Sequence, residues 1–398
     1  MKARKIVFSF IMVILVIASC YVILEYVFAR FYYSNVYLIS DTEFDPVLGW
    51  RLKPGTYWAK APNTFTKHRI DVNSFGLRDE EFPGTAGRKC VRIIILGDSF
   101  AYGKASRSER IFPARLEQLL NSAPPHGAYD VINAGVPGFG TAQELLLTKD
   151  LAENGITADI YLVIFFTNDI LDNLGLMYSN LSENRFQPKF VLDDNGTLRP
   201  PTRPETQSRD WAEDPTAAKP SLNRTRAIEV LRLRIESYLQ AKPRLIRMLD
   251  RLGFTVKFPA MPGILNGWYR EEITGSGIPL TRALLASIRD EAAARGGRLL
   301  VAMIPSQLQV YPDTYTPLLR QTFPGNELIT RWIRDPEKPQ RVVSGICDGL
   351  GIPFLDLQPI LLENNSTNLY IPREGHLNDR GHALVAQALV KFIGEYDR

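Results

Sequence analysis

The longest apolar stretch in the chain runs from Ile6 to Phe28 and is broken by a charge only at Glu25. Lys2, Arg4 and Lys5 precede it. About 20 apolar residues span a bilayer core, and a positive flank stays on the cytoplasmic side. The pattern therefore predicts a transmembrane anchor over residues 1–30, with the rest of the chain outside the cytoplasmic membrane. Two alternatives share that location. A cleaved signal peptide has an apolar core of only about 7–15 residues. A lipoprotein processed at Cys20, after Ile17-Ala18-Ser19, would turn polar beyond the cysteine, whereas this run continues through "YVILEYVF".

Residues 31–88 read as a lead segment of short strands, "GWRLKPGTYW" and "HRIDVNSFGLRD", with turns at Pro54-Gly55 and Asn73-Ser74. They carry no visible chemistry, and Trp50 and Trp58 read as packing residues. From Cys90 a strand–helix rhythm begins. Val91–Leu96 is an apolar run but for Arg92, as expected of a strand covered on both faces. "ERIFPARLEQLLNS" has helical spacing, "YDVINAG" reads as a strand, and "TAQELLLTKDLAENG" as a helix opened by a Thr141–Glu144 capping box and closed at Gly155. "ADIYLVIFFTND" is a third strand.

The rhythm then breaks over residues 172–275. This insertion has a hairpin signal around Asn195-Gly196, a polar proline-rich stretch at 200–221 and an amphipathic helix, "AIEVLRLRIESYLQ". The arginines of that helix read as a solvated face, with anionic headgroups as the alternative. The insertion leaves the sheet beyond the third strand, so it is expected to border the site. The rhythm resumes with a helix ending at Gly296, strands "RLLVAMIPS" and "IPFLDL" with a helix between them, and a closing helix "NDRGHALVAQALVKFIGEY". The predicted fold is α/β, three-layered and doubly wound, with a five-stranded parallel sheet. Its body is 89–171 and 276–398.

Composition adds exclusions. Of 398 residues, 47 are Lys or Arg and 43 Asp or Glu, a net charge of +4 with no basic cluster that would call for a nucleic acid. Cys20, Cys90 and Cys347 and four scattered histidines lack metal-ligand spacing, so neither metal nor cofactor is expected. An oxidising compartment would allow a Cys90–Cys347 disulfide.

In open parallel sheets, ligands bind beyond the carboxyl ends of the strands. What lies there is Gly97-Asp98-Ser99, then "NAGVPGFGT", then Thr167-Asn168-Asp169, and "REGHLND" before the last helix. These supply a hydroxyl, glycines that expose backbone N–H groups, a side-chain amide, and a histidine with an acid nearby. They are the parts of acyl transfer by serine. Ser99 needs a base, and His376 suits that task near neutral pH. Ser99 N–H, Gly138 N–H and the Asn168 amide are candidate oxyanion donors. Asp98 reads as shaping its own turn, Asp169 as orienting Asn168, and Gly135 and Gly140 as loop geometry. His382 reads as a helix-face residue, and His68 and His126 as loop histidines.

The blocks "GDSF", "NAGVPG", "TND" and "EGH", in this order, resemble those of the SGNH hydrolase superfamily, the GDSL esterases. The resemblance covers about residues 90–170 and 275–398. It implies a flavodoxin-like fold and ester chemistry without cofactors, with Ser99 as nucleophile, Ser99, Gly138 and Asn168 as oxyanion site and His376 as base. One position departs from the pattern. The family places Asp three residues before the histidine, where this chain has Arg373, and the nearest acid is Glu374. Glu374 is the expected orienting acid, and Asp379 or a backbone carbonyl are the alternatives. Asp379 also reads as the N-cap of the last helix. Expected partners are an ester-bearing small molecule or acylated glycan, and the membrane through the first helix. Hydrolysis, acyl transfer to a polysaccharide, and an inactive glycan-binding or assembly role remain open.

Overall fold

The computed structural model describes residues 2–31, 41–60, 67–82, 90–104, 106–122, 129–176, 187–202, 267–371 and 375–396. The first element is a helix, α1 (Lys2–Phe31). Val13, Ile14, Leu15, Val16 and Ile17 are exposed in succession, so apolar groups point to all sides of it. Among the described residues no helix is long and apolar enough to cross a membrane. The segment expected to be a transmembrane helix is thus helical, and its spanning of a bilayer rests on the sequence alone.

Two antiparallel hairpins follow, β1 (Thr42–Asp45) with β2 (Gly49–Leu52), and β3 (Gly55–Lys60) with β4 (Lys67–Val72). Asp45 closes the first by accepting from Val47 N and Leu48 N at 2.8 and 2.7 Å. Asn73 closes the segment after β4, its Oδ1 accepting from Phe75 N and Leu77 N. Trp50 is buried as expected of a packing residue, whereas Trp58 is 68% exposed.

The main body begins with β5 (Val91–Gly97), α2 (Ser99–Tyr102), α3 (Phe112–Ser122), β6 (Tyr129–Gly135), α4 (Thr141–Glu153), β7 (Ile160–Phe165) and α5 (Asp169–Asn173). It continues with α6 (Glu271–Ala294), β8 (Arg298–Met303), α7 (Gln307–Val310), α8 (Pro312–Thr322), α9 (Glu327–Arg334) and α10 (Lys338–Asp348). It closes with β9 (Phe354–Asp356), α11 (Gln358–Glu363) and α12 (Asp379–Tyr396). The five strands pair in parallel in the order β6-β5-β7-β8-β9, which fits the three-layer α/β fold. Alternate residues of β5 divide between two cores. Ile93 and Ile95 pack with α3 and α12, Ile94 and Leu96 with α4 and α6, and all four are fully buried. Burying each such side chain is worth about 1.5–3 kcal/mol. Continuous burial on both faces is why these strands read as unbroken apolar runs. The hairpins join the α4 side of the core through Leu48, Trp50, Leu52, Ile70 and Val72.

Several local expectations change. The N-cap of α4 is Gly140, not Thr141. A tertiary partner takes over the capping, since Ala142 N donates to Asn173 Oδ1 at 3.1 Å. That frees Glu144 from the cap and places it in the interior, 0% exposed. The cap of α12 is Asn378, whose Oδ1 accepts from Arg380 N and Gly381 N, rather than Asp379. Cys90 and Cys347 are free thiols. The hairpin expected at Asn195-Gly196 exists as isolated bridges, Lys189 to Thr202 and Leu192 to Leu198. The amphipathic helix of the insertion, the proline-rich stretch from 203 onward and His126 lie outside the described residues.

Two histidines are interior. His382 on α12 is 1% exposed, and its Nδ1 accepts from Phe112 N at 3.2 Å. His68, on β4, is 5% exposed. Burial pulls their pKa values from 6.5 down to about 3 and about 4. Both are neutral in the fold, while the unfolded chain binds protons as pH drops below 6.5. Their contribution to stability is therefore present above pH 6.5 and lost as pH falls toward 3. Melting temperatures measured from pH 7 to pH 4 should fall, and His382→Asn, which keeps an acceptor for Phe112 N, should flatten part of that slope. An unchanged slope would remove His382 from this account.

Candidate active site

The turn that bears Ser99 is built from both ends. Asp98 is the N-cap of α2, its Oδ1 accepting from Phe100 N at 2.8 Å, as the sequence suggested. Gly103 ends the helix in the left-handed region at φ 75°. Beyond it, Arg78 donates to Tyr102 O, Gly103 O and Ser106 O at 2.8, 2.9 and 2.6 Å. Arg78 is 2% exposed, and hydrogen bonds from a charged group are worth about 1.5–3 kcal/mol each. The Tyr102 hydroxyl donates to Asp41. The lead segment, which showed no chemistry in the sequence, thus grips the turn that bears Ser99.

His376 comes from the strand-like link before α12. Ile371 N donates to His376 O at 2.8 Å, Gly375 N to Ile371 O at 3.0 Å, and Asn378 N to Leu369 O at 2.9 Å. Its ring lies 4.9 Å from that of Phe100, which in turn packs on Phe166. In this position His376 Nε2 is 2.6 Å from Ser99 Oγ. Two residues 277 apart in sequence form a hydrogen-bonded pair of hydroxyl and imidazole beyond the carboxyl end of β5.

The glycine block is a tight turn. Phe139 N donates to Val136 O at 3.1 Å, with Pro137 and Gly138 between them and Gly138 at φ 80°. Pro then Gly at the two central positions is the type II pattern, where glycine meets no Cβ penalty. Val136 N donates to Gly97 O and Trp50 Nε1 to Pro137 O, both at 3.0 Å, so the turn is tied to β5 and to the lead segment.

Asn168 caps α5 by position and is 5% exposed. Its Nδ2 lies 2.6 Å from Asp172 Oδ2 and 3.4 Å from Asp98 Oδ2, and its Oδ1 has no partner. Asp169 Oδ2 accepts from Phe166 N at 3.1 Å and shapes the turn. Asp98, Asp169, Asp172 and Glu144 form a buried acid group beneath the site, the part that sequence reasoning missed. Burial pushes the carboxyl pKa of each upward, and the neighbouring carboxylates push Glu144, Asp169 and Asp172 further. The only signal in the sequence was the acid-rich run "NDILDN".

Glu374 and Arg373 lie outside the described residues. Asp379 is engaged elsewhere, accepting from Ser106 Oγ at 3.2 Å and from Arg110 Nη1 at 2.6 Å. The described parts of the insertion lean on the asparagine block. Trp268 Nε1 donates to Thr167 O at 2.6 Å and Gln187 Nε2 to Asp172 O at 2.7 Å. A cleft of about 630 Å³ between the start of α6 and α9, lined by Leu176, Tyr269, Glu272 and Arg331, contains none of the four motif blocks.

No protein-family model matches the chain, and no curated protein does. Similar solved structures are lipolytic and acetylxylan esterases. One is TesA, at 12% identity and a TM-score of 0.37, covering 75% of this chain and 97% of that one. Another belongs to the lipolytic G-D-S-L family, from Veillonella parvula, at 12% and 0.36, covering 76% and 97%. A third is a catalytic mutant of the acetylxylan esterase Axe2 from Geobacillus stearothermophilus, at 14% and 0.37, covering 77% and 97%. At such scores the likeness carries no argument about this chain, and the functional reading rests on its own residues.

A Cβ at Gly135 would lie 2.3 Å from Tyr102 N and 2.6 Å from Ala101 C. These are backbone atoms of the nucleophile helix, so relief requires moving α2. Gly135→Ala should cost about 1–3 kcal/mol of stability. It should also slow modification of Ser99 by a serine-directed probe more than a control alanine at exposed Gly394, where a Cβ meets nothing within 4 Å, does. Equal labelling rates in the two variants would refute that dependence.

Proposed function

We propose that this protein is a serine esterase that cleaves acyl esters, with Ser99 as nucleophile and His376 as its base. The observation that carries this reading is the 2.6 Å contact between Ser99 Oγ and His376 Nε2 beyond the carboxyl end of the parallel sheet. His376 takes the Ser99 proton as Oγ bonds to the acyl carbon, a step that general-base catalysis speeds about 10²–10⁴-fold. The carbonyl oxygen becomes an oxyanion. Ser99 N–H, at the first position of α2, has no intrahelical acceptor and is one donor. Gly138 N–H and the Asn168 amide are the others. Collapse expels the alcohol, which receives the proton from His376, and leaves an acyl-serine. Water, deprotonated by His376, then attacks the acyl carbon; collapse breaks the acyl–Oγ bond, His376 returns the proton to Ser99 Oγ, and the carboxylic acid leaves. Glu374 is the acid assigned to the other ring nitrogen.

The proposed location is outside the cytoplasmic membrane, held by α1. The basic flank and the ring of exposed apolar side chains around that helix support it. The substrate class that follows is an acyl ester, O-acetyl included, on a small molecule or surface glycan.

The test uses full-length protein in detergent micelles and a fluorophosphonate probe, with the adduct mapped by mass spectrometry. Labelling is expected at Ser99, abolished in Ser99→Ala, and reduced about 10²-fold or more in His376→Ala. Glu374→Ala should reduce it if that carboxylate orients His376. A folded protein that does not label at Ser99 would sink the esterase reading and bring the glycan-binding alternative forward.

Fate of the acyl group is a separate measurement. With p-nitrophenyl acetate and an added polysaccharide, acetate released to water is expected to account for the product. Acetylated glycan as the main product would replace hydrolysis with acyl transfer at the same site.

A further inference from the structure

The mechanism leaves Asp172 without a role, yet this residue makes the shortest contact to Asn168. Its Oδ2 accepts from Asn168 Nδ2 at 2.6 Å, and its side chain is 1% exposed. The two residues face each other across one turn, with Asp172 N donating to Asn168 O at 3.0 Å. Asp172 is itself fixed. Gln187 Nε2 donates to its carbonyl, and Gly140 approaches so closely that a Cβ there would lie 2.8 Å from Asp172 Cβ.

An asparagine side chain has two N–H donors and one acceptor oxygen. The acceptor has no partner here, so nothing on the oxygen side holds the amide. The torsion that turns the amide is broad and roughly two-fold, which makes it soft unless hydrogen bonds fix it. The hydrogen bond that Asn168 Nδ2 donates to Asp98 Oδ2 is long at 3.4 Å and weak beside the 2.6 Å one to Asp172. Only Asp172 is near enough to take one N–H firmly and leave the second with a defined direction.

We infer that Asp172 is a positioning residue for the oxyanion site: by accepting one Asn168 N–H it aims the other at the acyl oxygen. The inference rests on the reading of Asn168 as an oxyanion donor. Burial, which pushes the Asp172 carboxyl toward its neutral form, leaves a carbonyl oxygen able to accept.

A double-mutant cycle on full-length protein in detergent tests it, read as kcat and KM for p-nitrophenyl acetate. Asn168→Ala should lower kcat about 10²–10³-fold, the usual cost of one oxyanion donor. Asp172→Leu should lower kcat at least tenfold with little change in KM, as expected for a contact that matters in the transition state. Asp172→Asn keeps an acceptor oxygen and should recover most of that loss. In the Asn168→Ala background, Asp172→Leu should have no further effect. Asp172→Ala, smaller than leucine, serves in the cycle if the leucine variant does not fold, with circular dichroism confirming the fold of each protein. A full-sized Asp172 effect persisting without Asn168 would overturn the inference, as would an unchanged kcat in Asp172→Leu. An unchanged kcat in Asn168→Ala would instead overturn the donor reading itself, and the inference with it.

Discussion

The turn carrying Ser99 lies against the end of β6 with no space between the two backbones. Gly135 makes this contact, and a single methyl there would overlap Tyr102 N. Gly97 makes a similar one, where a Cβ would fall 2.8 Å from Ala101 Cβ. Two adjacent parallel strands end flush, Gly97 opposite Gly135, and the nucleophile helix settles into the shallow seat they leave. The direction of Ser99 Oγ follows from that seating, and so does the place where His376 must arrive. The fold's chemistry therefore depends first on the absence of side chains at two strand ends.

The seat is held from outside the sheet. Arg78 sits among three carbonyls just past the nucleophile helix, Asp41 takes the Tyr102 hydroxyl, and Trp50 fastens the glycine turn. The two hairpins and the residues flanking them are small, yet they contact both the turn that bears Ser99 and the glycine turn. A buried guanidinium bonded to backbone carbonyls constrains main chain rather than one side chain. It therefore ties Tyr102, Gly103 and Ser106 to one point.

The strand ends were legible in the sequence because parallel strands buried on both faces produce unbroken apolar runs, and the first non-apolar residues after them stand at one edge of the sheet. Ser99, Gly138 and Asn168 were read in this way, and His376 from its place just before the last helix. Arg78 was not, because a cation that binds carbonyls far along the chain has no local pattern. Glu144 was misread because Thr-x-x-Glu has the same spacing whether the glutamate caps a helix or lies inside the protein. What separates the two is Asn173, which arrives from a different element to take the cap's place. The pairing of Asn168 with Asp172 is four residues apart and readable in principle. It stayed hidden because a helical acid beside an asparagine ordinarily faces solvent.

The grip of the hairpins on the nucleophile turn also sets where the chain can be cut. Helix α1 ends at Phe31, and Asp41 already bonds Tyr102. A chain shortened at its start must therefore begin between those two residues, since beginning at the first strand of the sheet would discard Arg78, Asp41 and Trp50 together. Truncation just before β5 would keep Ser99, Gly138, Asn168 and His376 and leave the turn that bears Ser99 without its clasp.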